Sequence, residues 1–237
     1  MRVADGWKDY ELLDCSDGER LERWGDVILI RPDPQVIWKT PKKHPMWKKA
    51  NARYLRSSTG GGHWEILRKT PDAWRIDYKE LGLNVKTMGF KHTGIFPEQA
   101  VNWDYTAELI RNAGRPVRWI VDDCIKFVQR EIRRGNKYDI IIMDPPSYGR
   151  GPGGEVWKLE DEVYGFVELC TEVLSDDPIM MLINSYTTGL SPAVMQYILG
   201  ALVVPKFGGK VTGSEIGLPV TQTGMVLPCG ASAIWKK

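Results

Sequence analysis

The chain has 237 residues, 43% hydrophobic and 26% charged, which is typical of a soluble globular protein with one large or two small domains. Its 32 basic and 30 acidic side chains give a net charge of +2, so a nucleic-acid site would have to come from local clustering. No apolar run is long enough to span a membrane, and the N-terminus does not resemble a signal peptide. The four cysteines and three histidines are scattered, so we expect a reduced, cytoplasmic protein without a metal site.

The N-terminal part is predicted to be rich in β-structure. Short runs of β-branched and aromatic residues are separated there by turn formers, with no long helical pattern between them. The predicted strands are Asp26–Arg31, Gln35–Lys39, Ala52–Arg56, His63–Arg68, Trp74–Tyr78 and Leu81–Lys86. This pattern predicts a small sheet or barrel, and we assign residues 1–88 to an N-terminal β-rich domain.

A basic and aromatic segment, Trp38–Arg56, lies between two of these strands. Basic side chains interleaved with aromatic rings suit phosphate contact and base stacking, so the segment is a candidate RNA-binding site. The candidate RNA-binding residues are Lys42, Lys43, Trp47, Lys48 and Lys49. The alternative interpretation is a solvated loop that its tryptophans anchor to the sheet.

Residues 89–237 alternate between helical and strand-like patterns, which predicts an α/β domain with a parallel, doubly wound sheet. One predicted helix follows Asp123 and ends at Gly135, with Ile125, Val128 and Ile132 facing inward. The other predicted helices are Pro97–Gly114, Leu159–Leu174 and Ser191–Leu202. The predicted strands are Trp119–Val121, Ile140–Met143, Ile179–Ile183 and two late runs near Val211 and Met225–Leu227, the last two as an antiparallel edge.

The most informative stretch contains a short apolar run, Ile140–Met143, that ends on Asp144. Such a run is typical of a strand buried on both faces of a parallel sheet. The two prolines that follow end the strand, because they lack the N–H groups that the ladder needs. Ligands of open α/β sheets bind beyond the carboxyl ends of the strands. The candidate catalytic residues are therefore Asp144, Pro145, Pro146 and Tyr148.

This turn offers acceptors rather than donors, which suits an amino group or a cation and disfavours a phosphate. The glycines at 149, 151, 153 and 154 follow the prolines and no predicted helix begins on them, so they predict a flexible loop and not a phosphate cradle. The alternative interpretation is that Asp-Pro-Pro is only a turn that ends a strand.

The second part of the chain resembles the class I S-adenosylmethionine-dependent methyltransferases. Within them it is similar to the branch that modifies bases of large-subunit ribosomal RNA and joins an N-terminal β-rich domain to a Rossmann-like one. The segments that carry the resemblance are Phe90–Asp104 (FKHTGIFPEQAVNWD), Asp144–Tyr148 (DPPSY) with Gly149–Lys158, and Leu182–Gly189 (LINSYTTG). The resemblance covers nearly the whole chain and implies a Rossmann-like methyltransferase sheet.

The resemblance also implies roles for individual residues. In such enzymes the Asp-Pro-Pro turn closes the fourth strand and lines both the methyl donor and the incoming base. Asp123 would hold the adenine amino group, Asp144 would orient or deprotonate an amine acceptor, and Tyr148 would stack on the base. The segment from Thr93 to Gln99 would pack over the cofactor. The implied residues that bind S-adenosylmethionine are Thr93, Phe96, Gln99, Asp123 and Asp144.

One departure from this family concerns the start of the Rossmann-like half. The family has a strand, a glycine-rich turn (motif I), a helix and a second strand there, whereas this chain runs from Gly114 through Arg115-Pro116-Val117-Arg118 directly into Trp119. We interpret this junction as an internal in-frame deletion that removes the first two strands. Because motif I normally packs against the methionine part of the cofactor, we expect weak or absent cofactor binding.

A second departure concerns the chemistry. Related enzymes that methylate carbon-5 of a pyrimidine need a cysteine nucleophile, usually after the fifth strand, where this chain has Asn184-Ser185-Tyr186. Cys229 and Cys124 are alternatives by position, and buried structural cysteine is the other interpretation of both. Methylation of a nitrogen, and other regiochemistry, stay open.

Three functions remain compatible with the sequence. The leading one is a methyltransferase acting on RNA, impaired by the loss of motif I. The second is a non-catalytic RNA-binding relative that uses the β-rich domain and the basic segment. The third is a methyltransferase of a small molecule.

Overall fold

The structure is a computed structural model that describes residues 1–57, 61–114, 116–117, 123–151, 153–187 and 189–237. It divides into two compact units. The α/β unit consists of Met1, Asp104–Glu215 and Gly230–Lys237, and the β-rich unit consists of Arg2–Trp103 and Ile216–Cys229. The predicted domain boundary after residue 88 stays a prediction.

The β-rich unit contains a five-stranded sheet, a separate two-stranded pair and one short strand, β1, that belongs to neither. The strands in chain order are β1 (Arg2–Val3), β2 (Tyr10–Ser16), β3 (Glu19–Trp24), β4 (Val27–Pro32), β5 (Ala52–Arg56), β6 (Gly62–Ile66), β7 (Trp74–Tyr78) and β8 (Leu81–Val85). The larger sheet has the order β2-β3-β4-β5-β6 and is antiparallel except between β4 and β5. Strands β7 and β8 pair with each other in antiparallel orientation.

The predictions for this unit were right for some strands and wrong for others. The bounds predicted for β5 and β7 are confirmed. The predicted strand Gln35–Lys39 is wrong. The Val36 and Trp38 carbonyls accept single backbone hydrogen bonds from the turn after β2, and the Trp38 indole donates to the Cys15 carbonyl at 3.0 Å, but no regular ladder forms. Strands β2 and β3 were missed because charged residues interrupt their apolar pattern.

Two charged residues of β3, Arg20 and Glu22, form a buried ionic cluster with Tyr10 of β2 and Arg31 of β4. The Arg31 guanidinium donates to both carboxylate oxygens of Glu22, and the Tyr10 hydroxyl donates to the same carboxylate at 2.8 Å. Burial alone would raise the pKa of Glu22, but the neighbouring Arg31 and Arg20 outweigh it and lower this pKa to about 2. These charged side chains can therefore be buried in the sheet because each of them has a partner of opposite charge.

The α/β unit alternates helices and strands, as predicted for an α/β fold. Its helices are α1 (Ala100–Ala113, which begins in the β-rich unit), α2 (Cys124–Arg134), α3 (Leu159–Thr171), α4 (Pro192–Leu202) and α5 (Val204–Phe207). The later strands are β9 (Ile140–Met143), β10 (Tyr148–Arg150), β11 (Val156–Lys158), β12 (Met180–Ser185), β13 (Lys210–Pro219) and β14 (Val226–Lys236). Residues 216–219 of β13 and 226–229 of β14 belong to the β-rich unit. Two short 3-10 helices, Pro45–Lys48 and Pro97–Gln99, complete the regular structure of the described residues.

One sheet has the strand order β1-β13-β14-β12-β9. Strand β12 pairs in parallel with β9 and in antiparallel orientation with β14. The two late strands were predicted as an antiparallel edge of the sheet. They are neighbours in the sheet, but β13 is not its edge strand, because the two-residue strand β1 pairs with it. Strand β14 lies between β12 and β13. Its apolar residues explain this position, because Ala233, Ile234 and Trp235 are all buried.

Strand β9 and helix α2 are more exposed than predicted. Ile142 in β9 is 53% exposed, although the sequence predicted a strand buried on both faces. In α2, Val128 is buried as predicted, but Ile125 and Ile132 are 40% and 37% exposed. Among the described residues β9 is the last strand of the sheet, so only one of its two edges is paired, with β12. The predicted strand Trp119–Val121 and the junction residues Arg115 and Arg118 lie outside the described residues.

We predict that Glu22→Gln lowers the free energy of unfolding by about 3 kcal/mol, because breaking a buried ion pair leaves uncompensated charge. The pKa of Glu22 is lower in the folded state than its ordinary value of 4.5, so its contribution is complete above about pH 4.5 and is lost as the pH falls toward 2. Urea unfolding at a series of pH values measures both effects.

The matched control is Glu11→Gln in the same sheet. Glu11 pairs with Arg23 at 3.1 Å, but these two side chains are 33% and 32% exposed. An exposed pair of this kind contributes below about 1 kcal/mol. Equal losses in the two variants would contradict the role assigned to the buried cluster.

Candidate functional site

A cavity of about 610 Å³ lies beside β9 in the α/β unit. Its wall is mostly apolar and comes from β9, α2 and α3. Four residues predicted from the sequence line it together, namely Asp123, Asp144, Pro145 and Pro146. A volume of this size is typical of a small-molecule or cofactor site.

The turn after β9 is held in place by a tryptophan that sequence reasoning missed. The Trp157 indole donates to the Pro146 carbonyl at 2.6 Å, and its ring packs edge-on against Phe166. Trp157 also lines the cavity. Its position after a glycine-rich stretch gave no periodic signal, because β11 is only three residues long.

Asp144 presents one carboxylate oxygen to the sheet and leaves the other without a hydrogen bond among the described residues. Oδ1 accepts a hydrogen bond from the Asn184 side chain at 3.0 Å. Partial loss of hydration raises the pKa of Asp144 above its ordinary value, and the bond from Asn184 acts against this rise. The free oxygen is able to accept a hydrogen bond from a ligand in the cavity.

Asp123 has a structural role as well as a place in the cavity wall. It is the N-cap of α2, and its Oδ1 accepts the Lys126 amide at 3.0 Å. Its Oδ2 lies 3.9 Å from the Lys126 ammonium. The prediction that Asp123 holds an adenine amino group stays a prediction.

Tyr148 is not among the residues that line this cavity. It lies in β10, is 51% exposed, and its hydroxyl accepts a hydrogen bond from the Arg150 guanidinium at 2.7 Å. Strands β10 and β11 form an antiparallel hairpin, and the glycines predicted as a loop lie in β10 and in the connection to β11. Gly149 is itself part of the ladder, paired with Trp157, and the other three glycines lie in the connection between the strands.

The predicted cofactor residues Thr93, Phe96 and Gln99 belong to the β-rich unit. Thr93 is fully buried and its hydroxyl has no hydrogen-bond partner among the described residues. The Phe96 ring lies 5.1 Å from that of His92, and the Gln99 side-chain oxygen accepts from Asn102 at 2.7 Å. Their role in cofactor binding stays a prediction.

The basic segment carries lysines of two kinds. Lys42 forms an ion pair with Glu19 at 2.6 Å and lies over the Trp47 ring. Lys43, Lys48 and Lys49 are exposed. Trp47 is half-buried and donates to Asp14 at 2.7 Å, so its indole anchors the segment. The exposed lysines, and not the ring, are the groups that a polyanion would meet first.

The cysteines differ in accessibility. Cys229 is buried, which raises the pKa of its thiol well above the ordinary value. Cys124 is exposed and lines the cavity together with Cys170, whose thiol pKa burial raises to about 12. Among the described residues no group of three metal-ligating side chains is found, and no helix is long and apolar enough to cross a membrane.

No family model matches the chain, and no curated protein sequence matches it. Solved structures do. Over 99% of its length the chain is similar to a SAM-dependent methyltransferase from Agrobacterium tumefaciens, with a TM-score of 0.90, 26% sequence identity and 92% of that chain covered.

Two further structures are similar at lower identity. One is a proposed SAM-dependent methyltransferase from Streptococcus mutans, with a TM-score of 0.66, 14% identity and 98% of this chain on 76% of that one. The other is a proposed methyltransferase in complex with SAH, with a TM-score of 0.63, 15% identity and the same two coverages. At these identities they show the fold alone. The structure from Agrobacterium tumefaciens, at 26% identity, supports an enzyme of the S-adenosylmethionine-dependent methyltransferase class.

Proposed function

We propose that this chain is an S-adenosylmethionine-dependent methyltransferase that modifies a base in RNA, and that the RNA is ribosomal. The observation that carries the proposal is the Asp144-Pro145-Pro146 turn at the end of β9, which lines a cavity with Asp123 in a chain of methyltransferase fold. The similar structure from Agrobacterium tumefaciens supports the enzyme class and the cofactor. The ribosomal RNA substrate rests on the sequence resemblance.

The chemistry of the cavity fits the adenosine part of S-adenosylmethionine. Apolar side chains such as Ile142 and Val128 suit the flat faces of an adenine ring, and the carboxylate of Asp123 suits its amino group. When bound, the cofactor supplies a methyl group on a positively charged sulfur. An acceptor-rich turn that lacks N–H donors is a favourable neighbour for that charge.

In this proposal Asp144 acts on the substrate through its free oxygen. A carboxylate is an acceptor with no proton to donate, so it would bind an N–H of the incoming base and orient it. Holding the acceptor and the methyl group in line is the main way in which such an enzyme lowers the barrier. Regiochemistry stays open, since Cys124 also lines the cavity.

RNA binding is proposed for the exposed lysines of the basic segment. Lys43, Lys48 and Lys49 lie close together in sequence, around the 3-10 helix Pro45–Lys48. Their ammonium groups are able to meet phosphates without first breaking an ion pair, unlike Lys42.

The proposal includes weak binding of the cofactor. It rests on the sequence, in which Gly114 through Arg118 leads directly into Trp119 without a glycine-rich turn. We predict that calorimetry on the 237-residue chain gives a dissociation constant for S-adenosylmethionine weaker than micromolar. A micromolar or tighter value would contradict the loss of motif I as a functional impairment.

Asp144→Ala is predicted to lower methyl transfer to ribosomal RNA at least about 100-fold, because it removes the group that orients the acceptor. Transfer of a labelled methyl group at saturating cofactor measures this. The control is Asp161→Ala, which removes an exposed carboxylate on α3 outside the cavity. Equal transfer by the two variants would contradict the role proposed for Asp144. Turnover without RNA would indicate a small-molecule substrate.

The triple variant Lys43→Gln, Lys48→Gln, Lys49→Gln is predicted to bind RNA more weakly and with a shallower salt dependence. Each lost phosphate contact reduces the slope of log affinity against log salt by about 0.7 for a single strand. Fluorescence anisotropy over a salt series measures the slope. Lys42→Gln is the matched control and should change it less, because Lys42 is already paired with Glu19.

These binding data also test the alternative function. Salt-dependent RNA binding that needs the three lysines, in a chain that transfers no methyl group, would favour a non-catalytic RNA-binding relative. An unchanged slope in the triple variant would contradict the proposed RNA surface.

A further inference from the structure

Three polar side chains lie in one row across three neighbouring strands of the α/β unit. Ile183 of β12 is paired with Met143 of β9, so the next residues of the two strands, Asn184 and Asp144, face each other. Asn184 is also the direct cross-strand partner of Ser232 in β14. Direct partners project on the same face of a sheet, so the three side chains are able to form one chain of hydrogen bonds.

The observed hydrogen bonds run along this row. The Ser232 hydroxyl donates to Asn184 Oδ1 at 2.8 Å, and the Asn184 amide nitrogen donates to Asp144 Oδ1 at 3.0 Å. Asn184 and Ser232 are both 1% exposed, so water cannot easily replace either bond. Buried polar groups of this kind persist where each has a partner.

The direction of the row fixes the orientation of the asparagine. An amide presents an oxygen on one side and an NH₂ group on the other. Because an ionised carboxylate only accepts hydrogen bonds, the NH₂ group faces Asp144, and the amide oxygen faces the Ser232 hydroxyl, which donates to it. Asp144 is thus offered a donor, and its carboxylate is stabilised in the charged form that accepts hydrogen bonds.

The surroundings of this row explain why it is the main polar support of Asp144. Neighbouring side chains on the same face of the sheet are apolar, including Leu182 and Ile234, which pack with Leu109 of α1. The ionisable groups that line the cavity with Asp144 are Asp123 and Cys124 of α2, Cys170 of α3 and Tyr138 before β9. None of them is hydrogen-bonded to Asp144 in the contacts that the described residues make.

We propose that Asn184 is a positioning residue, held by Ser232, which keeps one oxygen of Asp144 directed into the sheet and the other free for the substrate. This inference rests on the proposed function of Asp144 as the group that orients the methyl acceptor. It assigns to Asn184 and Ser232 a role in the reaction without contact to the reacting atoms.

The test measures the titration of Asp144 directly, so it does not depend on turnover. Protein labelled with ¹³C at the aspartate carboxyl carbons is titrated by NMR, and the Asp144 signal is assigned with Asp144→Asn. In Asn184→Leu, which is similar in size but offers no donor, the midpoint of Asp144 should move to higher pH. Ser232→Ala should move it in the same direction by less, since the amide is then free to rotate, and Ser232→Thr, which keeps the hydroxyl, should restore it.

The matched control is Ser185→Ala. Ser185 is as buried as Asn184 and is its neighbour in β12, but its hydroxyl accepts from the Thr187 amide and does not contact Asp144. This variant should titrate like the wild type. In transfer assays, the acidic limb of the kcat–pH profile should move to higher pH in Asn184→Leu, so that about tenfold of activity is lost at low pH and recovered at high pH.

An Asp144 midpoint in Asn184→Leu that equals that of Ser185→Ala would overturn the proposal. If Asn184→Leu does not fold, as judged by circular dichroism, Ser232→Ala decides, and a wild-type midpoint in that variant overturns it. If the midpoints shift as expected while the wild type transfers no methyl group, the positioning of Asp144 stands and the proposed function fails. A shift accompanied by the change in the kcat–pH profile supports both.

Discussion

The candidate site depends on the register between three neighbouring strands. Strand β12 pairs in parallel with β9 and in antiparallel orientation with β14, and these registers align Asp144, Asn184 and Ser232. A shift of one residue in either pairing would turn a polar side chain of this row toward the opposite face and replace it with an apolar one. Such a shift would be unfavourable, because all six residues of β12 are buried and would have to change their packing partners. The packing of the core thus fixes the geometry of the site.

The β-rich unit uses charge in a different way. Its sheet buries Glu22 between arginines, and one of them, Arg31, also donates to the Lys91 carbonyl at 3.1 Å. Lys91 directly precedes the segment that holds Thr93 and Gln99. The ionic cluster therefore supports the backbone at the start of the segment that resembles a cofactor-binding element. Buried charges of this kind add little net stability by themselves, but removing one partner is expensive.

The aromatic residues of the basic segment illustrate how one composition serves two purposes. Basic and aromatic residues together are typical of single-stranded nucleic-acid surfaces. In this chain Trp38 and Trp47 both donate hydrogen bonds into the sheet, to Cys15 and Asp14. The rings therefore anchor the segment, as the alternative interpretation predicted, while the lysines beside them are exposed and their contact with RNA stays a prediction. An RNA surface built this way would rely on charge more than on stacking.

The sequence by itself determined the elements whose pattern is local. The apolar run of β9, the prolines that end it, and the cap and glycine stop of α2 act through neighbouring residues, so their bounds were predictable. It also named Asp144 as a candidate, because an acid at the end of an apolar run can be recognised without a distant partner. The structure places Asp144 in the cavity wall, and its role stays a prediction. Strands β2 and β3 were not predictable, since their charged residues become compatible with burial only once Arg31 and Glu22 meet across the sheet.

Only the tertiary structure decided which residues support the acid. Asn184 and Ser232 are 40 and 88 residues away from Asp144 in the chain. Asn184 lies in the segment Leu182–Gly189 that carries the family resemblance, but no local pattern links it or Ser232 to Asp144. The contact of Trp157 with the turn after β9 and the position of β14 inside the sheet were likewise not predictable from local sequence. They depend on strand order and register, which are set by the total burial of apolar surface and not by the propensities of any single segment.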